Sequence, residues 1–339
     1  MLLKAWKNAC DATGVQKIVI PPGNYLTGGL ELSGPCKSSI FIRLDGNLLG
    51  TGDLNAYKKN WIEIENVENL SINGHGTIDG QGALVWNKND CQHSYNCKIL
   101  PNSLVLDFVT NAQIRGITLA NSKFFHLNIF ASKNVLIDKV TVTAPGNSPN
   151  TDGIHIERSA GMSITDARIG TGDDCISIGQ GNDGVDVARV RCGPGHGMSV
   201  GSLGRYAGEG DVTRVHVRDV VFTGTHNDVR IKTWENSPIK SSAAHMLFEN
   251  LLMEDVRNPI IIDQMYCPYY NCEHKYVSGV TLQDIQFKNI KGTTTTPVAV
   301  MLRCGVPCQG LVLQDVDLTY MGQGGTSAKC ENATAKYVG

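Results

Sequence analysis

From about residue 60 onward the chain repeats one phrase: a short run in which apolar and polar residues alternate, a polar turn rich in Asn, Gly and Asp, then another alternating run. Asn69-Leu-Ser-Ile-Asn-Gly, Asn111-Ala-Gln-Ile-Arg-Gly-Ile-Thr-Leu, Asn134-Val-Leu-Ile-Asp-Lys-Val-Thr-Val, Val280-Thr-Leu-Gln-Asp-Ile-Gln-Phe and Leu311-Val-Leu-Gln-Asp-Val-Asp-Leu are versions of it. Alternation sends every second side chain inward, as a strand requires. Matched apolar positions, taken as Ile114, Leu136, Ile164, Val187, Val215, Leu247, Leu282 and Leu313, return at intervals of roughly 22 to 35 residues, the range of a solenoid. Helical periodicity is convincing only in the first ten residues, which excludes leucine-rich horseshoes and helical repeats. A β-propeller would need longer blades of ~40 to 45 residues with a Trp-Asp signature, and the four tryptophans are out of register. The pattern predicts an all-β chain with a short N-terminal helix, a parallel β-helix in which residues about one coil apart in sequence are neighbours in space.

That geometry gives meaning to the polar residues between Asn150 and Lys232. Asp152, in Asn150-Thr-Asp-Gly153, precedes Asp173 by 21 residues, and His196, in Gly195-His-Gly197, follows Asp173 by 23. One coil separates each, so the three fall on adjacent rungs. Asp174 adjoins Asp173, and adjacent strand positions face opposite ways, so the pair acts together only at a strand end or bulge. Arg230 and Lys232 lie at i and i+2, on one face of a strand. Taken singly, each is an ordinary turn or a solvated face; their shared register is what singles them out. Acids crowded in one cleft repel, which raises one pKa and leaves a proton donor beside a carboxylate base. Glycoside hydrolysis needs that pair. Two cations on one face suit an anionic sugar such as a uronic acid.

Composition narrows the compartment and the partners. Lys+Arg number 30 and Asp+Glu 32 in the 339 residues, a net charge of −2, so no single-sign field favours nucleic acid. No apolar run approaches the ~18 residues that span a bilayer. Eleven cysteines fall mostly into short sequential pairs, for which the simplest connectivity is Cys10 with Cys36, Cys91 with Cys97, Cys175 with Cys192, Cys267 with Cys272 and Cys304 with Cys308. Cys330 is left over. The spacing is not that of a zinc site, so no metal and no cofactor is expected. An oxidising compartment follows, and Asn69-Leu-Ser71 and Asn332-Ala-Thr334 are glycan acceptors that fit secretion. The opening Met-Leu-Leu-Lys-Ala-Trp is not a secretory signal, so the chain is read as a fragment or mature form of a secreted protein.

Asn150-Thr-Asp-Gly153, Gly172-Asp-Asp174, Gly195-His-Gly197 and Arg230-Ile-Lys232, in that order, resemble the four signature motifs of the polygalacturonases, the family 28 glycoside hydrolases. The surrounding wording, Gly172-Asp-Asp-Cys-Ile-Ser-Ile-Gly179 and Val229-Arg-Ile-Lys-Thr-Trp234, is similar to that of plant members, the exo-acting pollen enzymes among them. The resemblance implies a right-handed single-stranded parallel β-helix spanning residues 1–339 as one domain, and hydrolysis of α-1,4-galacturonosyl linkages in pectin with inversion. Carried over, Asp173 is the general acid, Asp152 and Asp174 activate the water, and His196 holds the acid's protonation. Asn150, Arg230 and Lys232 bind substrate, and Tyr266 matches an aromatic contact. The resemblance also makes Cys175–Cys192 the bridge bracketing the active-site coils, and implies that the chain starts after an opening strand and ends before a partner for Cys330. A monomeric enzyme of the cell wall is expected, exo-acting on resemblance, with the segments near Cys91–Cys97 and Cys267–Cys272 as candidate groove walls. An endo-acting enzyme, a Ca²⁺-dependent lyase on the same architecture, and a non-catalytic wall-binding solenoid are the competing readings.

Overall fold

The computed structural model describes residues 1–339 except 92, 93, 95, 239, 270, 271 and 273–275. Its contacts divide into two compact units, Met1–Asp173 and Asp174–Gly339. Each is a parallel β-helix.

The first unit opens with the expected helix, Leu2–Asp11, whose buried Trp6, Ala9 and Cys10 lie at i, i+3 and i+4 on one face. Trp6 Nε1 donates to Ser33 O at 3.1 Å, and the Cys10–Cys36 disulfide ties the helix to the first coils. Short strands then stack in parallel register. Ile18 lies beside Ile42, Ile42 beside Ile72, Ile72 beside Ile114, Ile114 beside Ile137 and Ile137 beside Ile164, a buried isoleucine column through the interior. The coils take the right-handed sense that parallel crossovers adopt.

In the second unit the equivalent column is Val187, Val217, Phe248, Phe287 and Leu313. Phe248 and Phe287 stack with centroids 5.3 Å apart.

These columns correct part of the apolar alignment expected above. Leu136 pairs with Gln113 and Ser163 and is only half-buried, while its neighbour Ile137 occupies the core column. Leu247 likewise faces outward beside His216 and Gln286. Val215 and Leu282 are buried but belong to neighbouring columns, Val215 with Val185 and Met246, Leu282 with Ala243. With a side-chain period of two, one position of slip exchanges the faces.

The turns explain the abundance of Asn and Asp. In the first unit Asn69, Asn111 and Asn134 all sit in the left-handed region. Asn111 Nδ2 donates to Asn69 Oδ1 at 3.4 Å and Asn134 Nδ2 to Asn111 Oδ1 at 3.1 Å. Gly161 continues the row, because a Cβ there would come within 2.8 Å of Asn134 Oδ1. The second unit repeats the device with Asp219, Asn250 and Asn289. Asn tolerates this conformation and its amide both donates and accepts, so one residue type makes the bend and the ladder between coils.

All five expected disulfides form, and Cys330 is free and exposed. The two glycan acceptors, Asn69 and Asn332, are exposed.

Candidate active site

The first unit carries Asn150, Asp152 and Asp173. Asn150 is a left-handed residue at a turn, and its Nδ2 lies 3.4 Å from Asp173 Oδ2. The turn is pinned from within: Ser148 Oγ meets Thr151 Oγ1 at 2.6 Å, and Thr151 Oγ1 accepts from Gly172 N at 3.0 Å. That last bond joins the Asn150 turn to the turn presenting Asp173.

Asp152 is buried, at the start of the coil whose strand Ile154–Glu157 pairs with Leu127–Phe130. Its carbonyl oxygen accepts from His126 N at 2.9 Å and lies 3.0 Å from His126 Nδ1. Ser122 N donates to the other ring nitrogen, Nε2, at 3.2 Å. A backbone N–H can only donate, so Nε2 is the acceptor and Nδ1 carries the proton. Burial pushes the His126 pKa down to about 4. A neutral, fixed imidazole thus props the backbone of Asp152.

The second unit carries Asp174, His196, Arg230, Lys232 and Tyr266. Lys232 Nζ lies 2.9 Å from Asp174 Oδ2, and Ser199 Oγ donates to Asp174 Oδ1 at 2.9 Å. The pair is desolvated, with side-chain exposures of 11% for Lys232 and 2% for Asp174. Ser199 reaches the carboxylate because its strand, Met198–Leu203, lies between Ile176–Ile178 and Asn227–Trp234, which puts Ser177, Ser199 and Arg230 in one outward column.

Arg230 and Lys232 face the same way, as expected, and share one aromatic platform. The Tyr266 ring centroid is 4.9 Å from the Arg230 guanidinium carbon and 5.5 Å from Lys232 Nζ. Trp234 packs edge-on against Tyr266 at 5.5 Å and pairs with it in register. Among the described residues Arg230 Nε is buried without a hydrogen-bond partner, and the planar guanidinium lies against the ring as arginine does on aromatic faces.

His196 stacks on His226, with centroids 5.2 Å apart and an interplanar angle of 23°. The rings meet because the residues before them pair: Gly195 bridges Thr225, and His226 N donates to Gly195 O at 2.9 Å. Burial, then the charges of His196 and Arg257, hold the His226 pKa below the usual imidazole value. Asp228 is fully buried beside the Thr225 hydroxyl, and desolvation raises its pKa well above the carboxylate range.

Asp173 and Asp174 are consecutive, Asp173 closing the first unit and Asp174 opening the second. Sequence reading did not single out His126, Ser199, His226 or Trp234. His226 and Trp234 flank Arg230-Ile-Lys232 closely enough to have been noticed, whereas Ser199 and His126 carry no local signal.

Such a set, carboxylates and an imidazole on solenoid coils with a stacked cation pair, belongs to enzymes acting on acidic polysaccharide. The family model for glycosyl hydrolases family 28 matches residues 10–338. The chain belongs to that family. It is 52% identical to an exopolygalacturonase of Zea mays over 335 residues, covering 97% of this chain and 82% of that one. It is 44% identical to an exopolygalacturonase of Platanus acerifolia over 343 residues, covering 100% of this chain and 91% of that one. Among solved structures it resembles the endo-xylogalacturonan hydrolase of Aspergillus tubingensis, with a TM-score of 0.82 at 23% identity, covering 95% of this chain and 92% of the other.

Proposed function

We propose that this chain is an exo-acting polygalacturonase that hydrolyses α-1,4-galacturonosyl linkages of pectin, releasing units from a chain end with inversion. The observation that carries the reading is 44–52% identity to exopolygalacturonases over nearly the whole chain. Asp173 donates its proton to the glycosidic oxygen as the bond from that oxygen to the anomeric carbon breaks. Water attacks the same carbon from the opposite face and gives its proton to the carboxylates of Asp152 and Asp174. The Lys232 ammonium, 2.9 Å from Oδ2, holds the Asp174 carboxyl group in place for that task. His196 holds the protonation of the acid. Arg230, stacked on Tyr266, takes the substrate carboxylate, with the remaining N–H donors of Lys232 and the amide of Asn150.

Residues 1–339 work as one catalytic domain in this reading, supported by a family match that runs from residue 10 to residue 338 across both units. The five disulfides support secretion into an oxidising compartment, and a monomeric enzyme of the cell wall belongs to the same reading.

The test is a product time course on polygalacturonate, following reducing ends, viscosity and released sugars, with Asp173→Asn as control. Monomer from the outset with little loss of viscosity is expected, and the variant should lose about 10²–10⁴ in kcat. A steep early fall in viscosity with mixed oligomers would mean internal cleavage, and unsaturated ultraviolet-absorbing products would mean a lyase. Pectate binding without turnover, unchanged in the variant, would mean a binding protein.

A further inference from the structure

The segment after Val85 is seated by a small apolar cluster of its own: Val85, Leu100 and Phe124, with Leu54, Cys91 and Phe125 against them. Trp86 Nε1 donates to Ser122 O at 2.9 Å, and the Cys91–Cys97 disulfide closes the segment. From this base Asn89 reaches across to the Asn150 turn. Its Nδ2 lies 3.2 Å from Pro149 O and 3.3 Å from Asn150 Oδ1, and its Oδ1 accepts from Cys91 N at 2.9 Å.

Two groups that cannot exchange roles set the direction of this chain of amides. The Cys91 backbone N–H only donates, so Asn89 Oδ1 must face it. Pro149 O only accepts, so the Asn89 amino group must face that oxygen. The atom of Asn150 that meets this amino group must then be its carbonyl, Oδ1. That turns the Asn150 amino group towards Asp173 Oδ2, 3.4 Å away. The reverse orientation would turn the Asn150 carbonyl towards that oxygen and its amino group towards the Asn89 amino group.

We propose that Asn89 is a positioning residue for hydrolysis. It polarises a relay, Cys91 N–H to Asn89 to Asn150 to Asp173, that holds the Asn150 amide in the one orientation able to donate to the acid. Asn89 and the Cys91 backbone N–H are thereby part of the machinery that places Asp173. The proposal rests on the reading of Asp173 as the acid.

The test is steady-state kinetics on defined oligogalacturonides for wild type, Asn89→Ala, Asn150→Ala and the double variant, with thermal midpoints alongside. Asn89→Ala should lower kcat about tenfold, by more than it raises KM, because Arg230 and Lys232 still hold the sugar carboxylate when the Asn150 amide is no longer fixed. In the Asn150→Ala background the Asn89 change should cost nothing further, since a relay without its second member has nothing to transmit. Asn89→Asp is the second variant. It still accepts from Cys91 N–H, so the turn keeps its bond, but it opposes oxygen to Pro149 O and Asn150 Oδ1, and its kcat should fall at least as far as that of Asn89→Ala. Multiplicative losses in the double variant, a loss confined to KM, or wild-type kcat in Asn89→Asp would overturn the relay while leaving the hydrolase reading standing. A wild type that releases no galacturonate overturns the hydrolase reading and the relay with it.

Discussion

Lys232 answers to two anions, the buried carboxylate of Asp174 in the protein and, in the proposed reaction, the carboxylate of the sugar. Both members of the protein pair are removed from water, so losing one leaves the other's charge uncompensated, at about 3–5 kcal/mol. Lys232→Met is therefore expected to lower the thermal midpoint as well as kcat, measured by scanning calorimetry beside the assay. Arg230→Gln, whose side chain is not part of that pair, should leave the midpoint close to wild type. His126 makes the pH prediction. Its pKa is about 4 in the folded chain against 6.5 for a free imidazole. As pH falls from about 6.5 to about 4, the unfolded state takes up a proton that the folded state refuses, so stability declines through that window and the loss levels off below it. A shift of that size corresponds to roughly 3 kcal/mol. Urea unfolding at neutral pH and near pH 4 should show the decline, and His126→Gln, less stable at neutral pH for want of its hydrogen bonds, should show a flatter dependence.

Among the elements, the turn at Gly195–Gly197 is one of the tightly constrained parts of the candidate site. Gly197 has φ near +82°, and a Cβ there would fall 1.9 Å from Asn227 O and 2.6 Å from Asp228 Cα. Gly197→Ala must push the coil bearing His226 away from the coil bearing His196. Strain of about 1–3 kcal/mol is expected, read as a lower midpoint, with a fall in kcat larger than the loss of stability explains because the stacked histidines separate. The same scale shows how far the sequence could be read. Strand and turn are local properties, set by alternation and by residues that accept the left-handed region, and they are legible in Asn111–Leu119 or Leu311–Leu318. Register between coils is not local. Coils differ in length, so Leu136 and Ile137 are equally good candidates for a core position until the left-handed turn at Asn134 decides which of them faces inward.

For the molecule as a whole, a net charge of −2 supplies no long-range attraction for a polyanionic substrate. Affinity for polygalacturonate has to come from the cations on Tyr266. Arg230→Gln should raise KM about tenfold or more, the size of a lost charge-assisted hydrogen bond. Added salt should raise the wild-type KM only a few-fold, because the cations are partly shielded from solvent and act at contact distance. Initial rates across a salt series for both proteins test this; a strong salt dependence that survives in Arg230→Gln would place recognition elsewhere.

The sequence by itself determined the class of fold, the four motifs and the family they mark, and the common face of Arg230 and Lys232; it offered the simplest cysteine pairing without fixing it. What it determined is written in short windows of alternating and turn-forming residues and in the return of those windows about once per coil. Only the tertiary structure decided which partners those residues meet. Lys232 finds Asp174 at a separation of 58 residues and Asn89 finds Asn150 at 61, while the rings of His226 and Tyr266 come to lie against His196 and Arg230. Such contacts depend on how many residues each coil spends in its turns and on which side chains can share the buried space between coils. No window of neighbouring residues contains that information; it exists only once the coils are stacked.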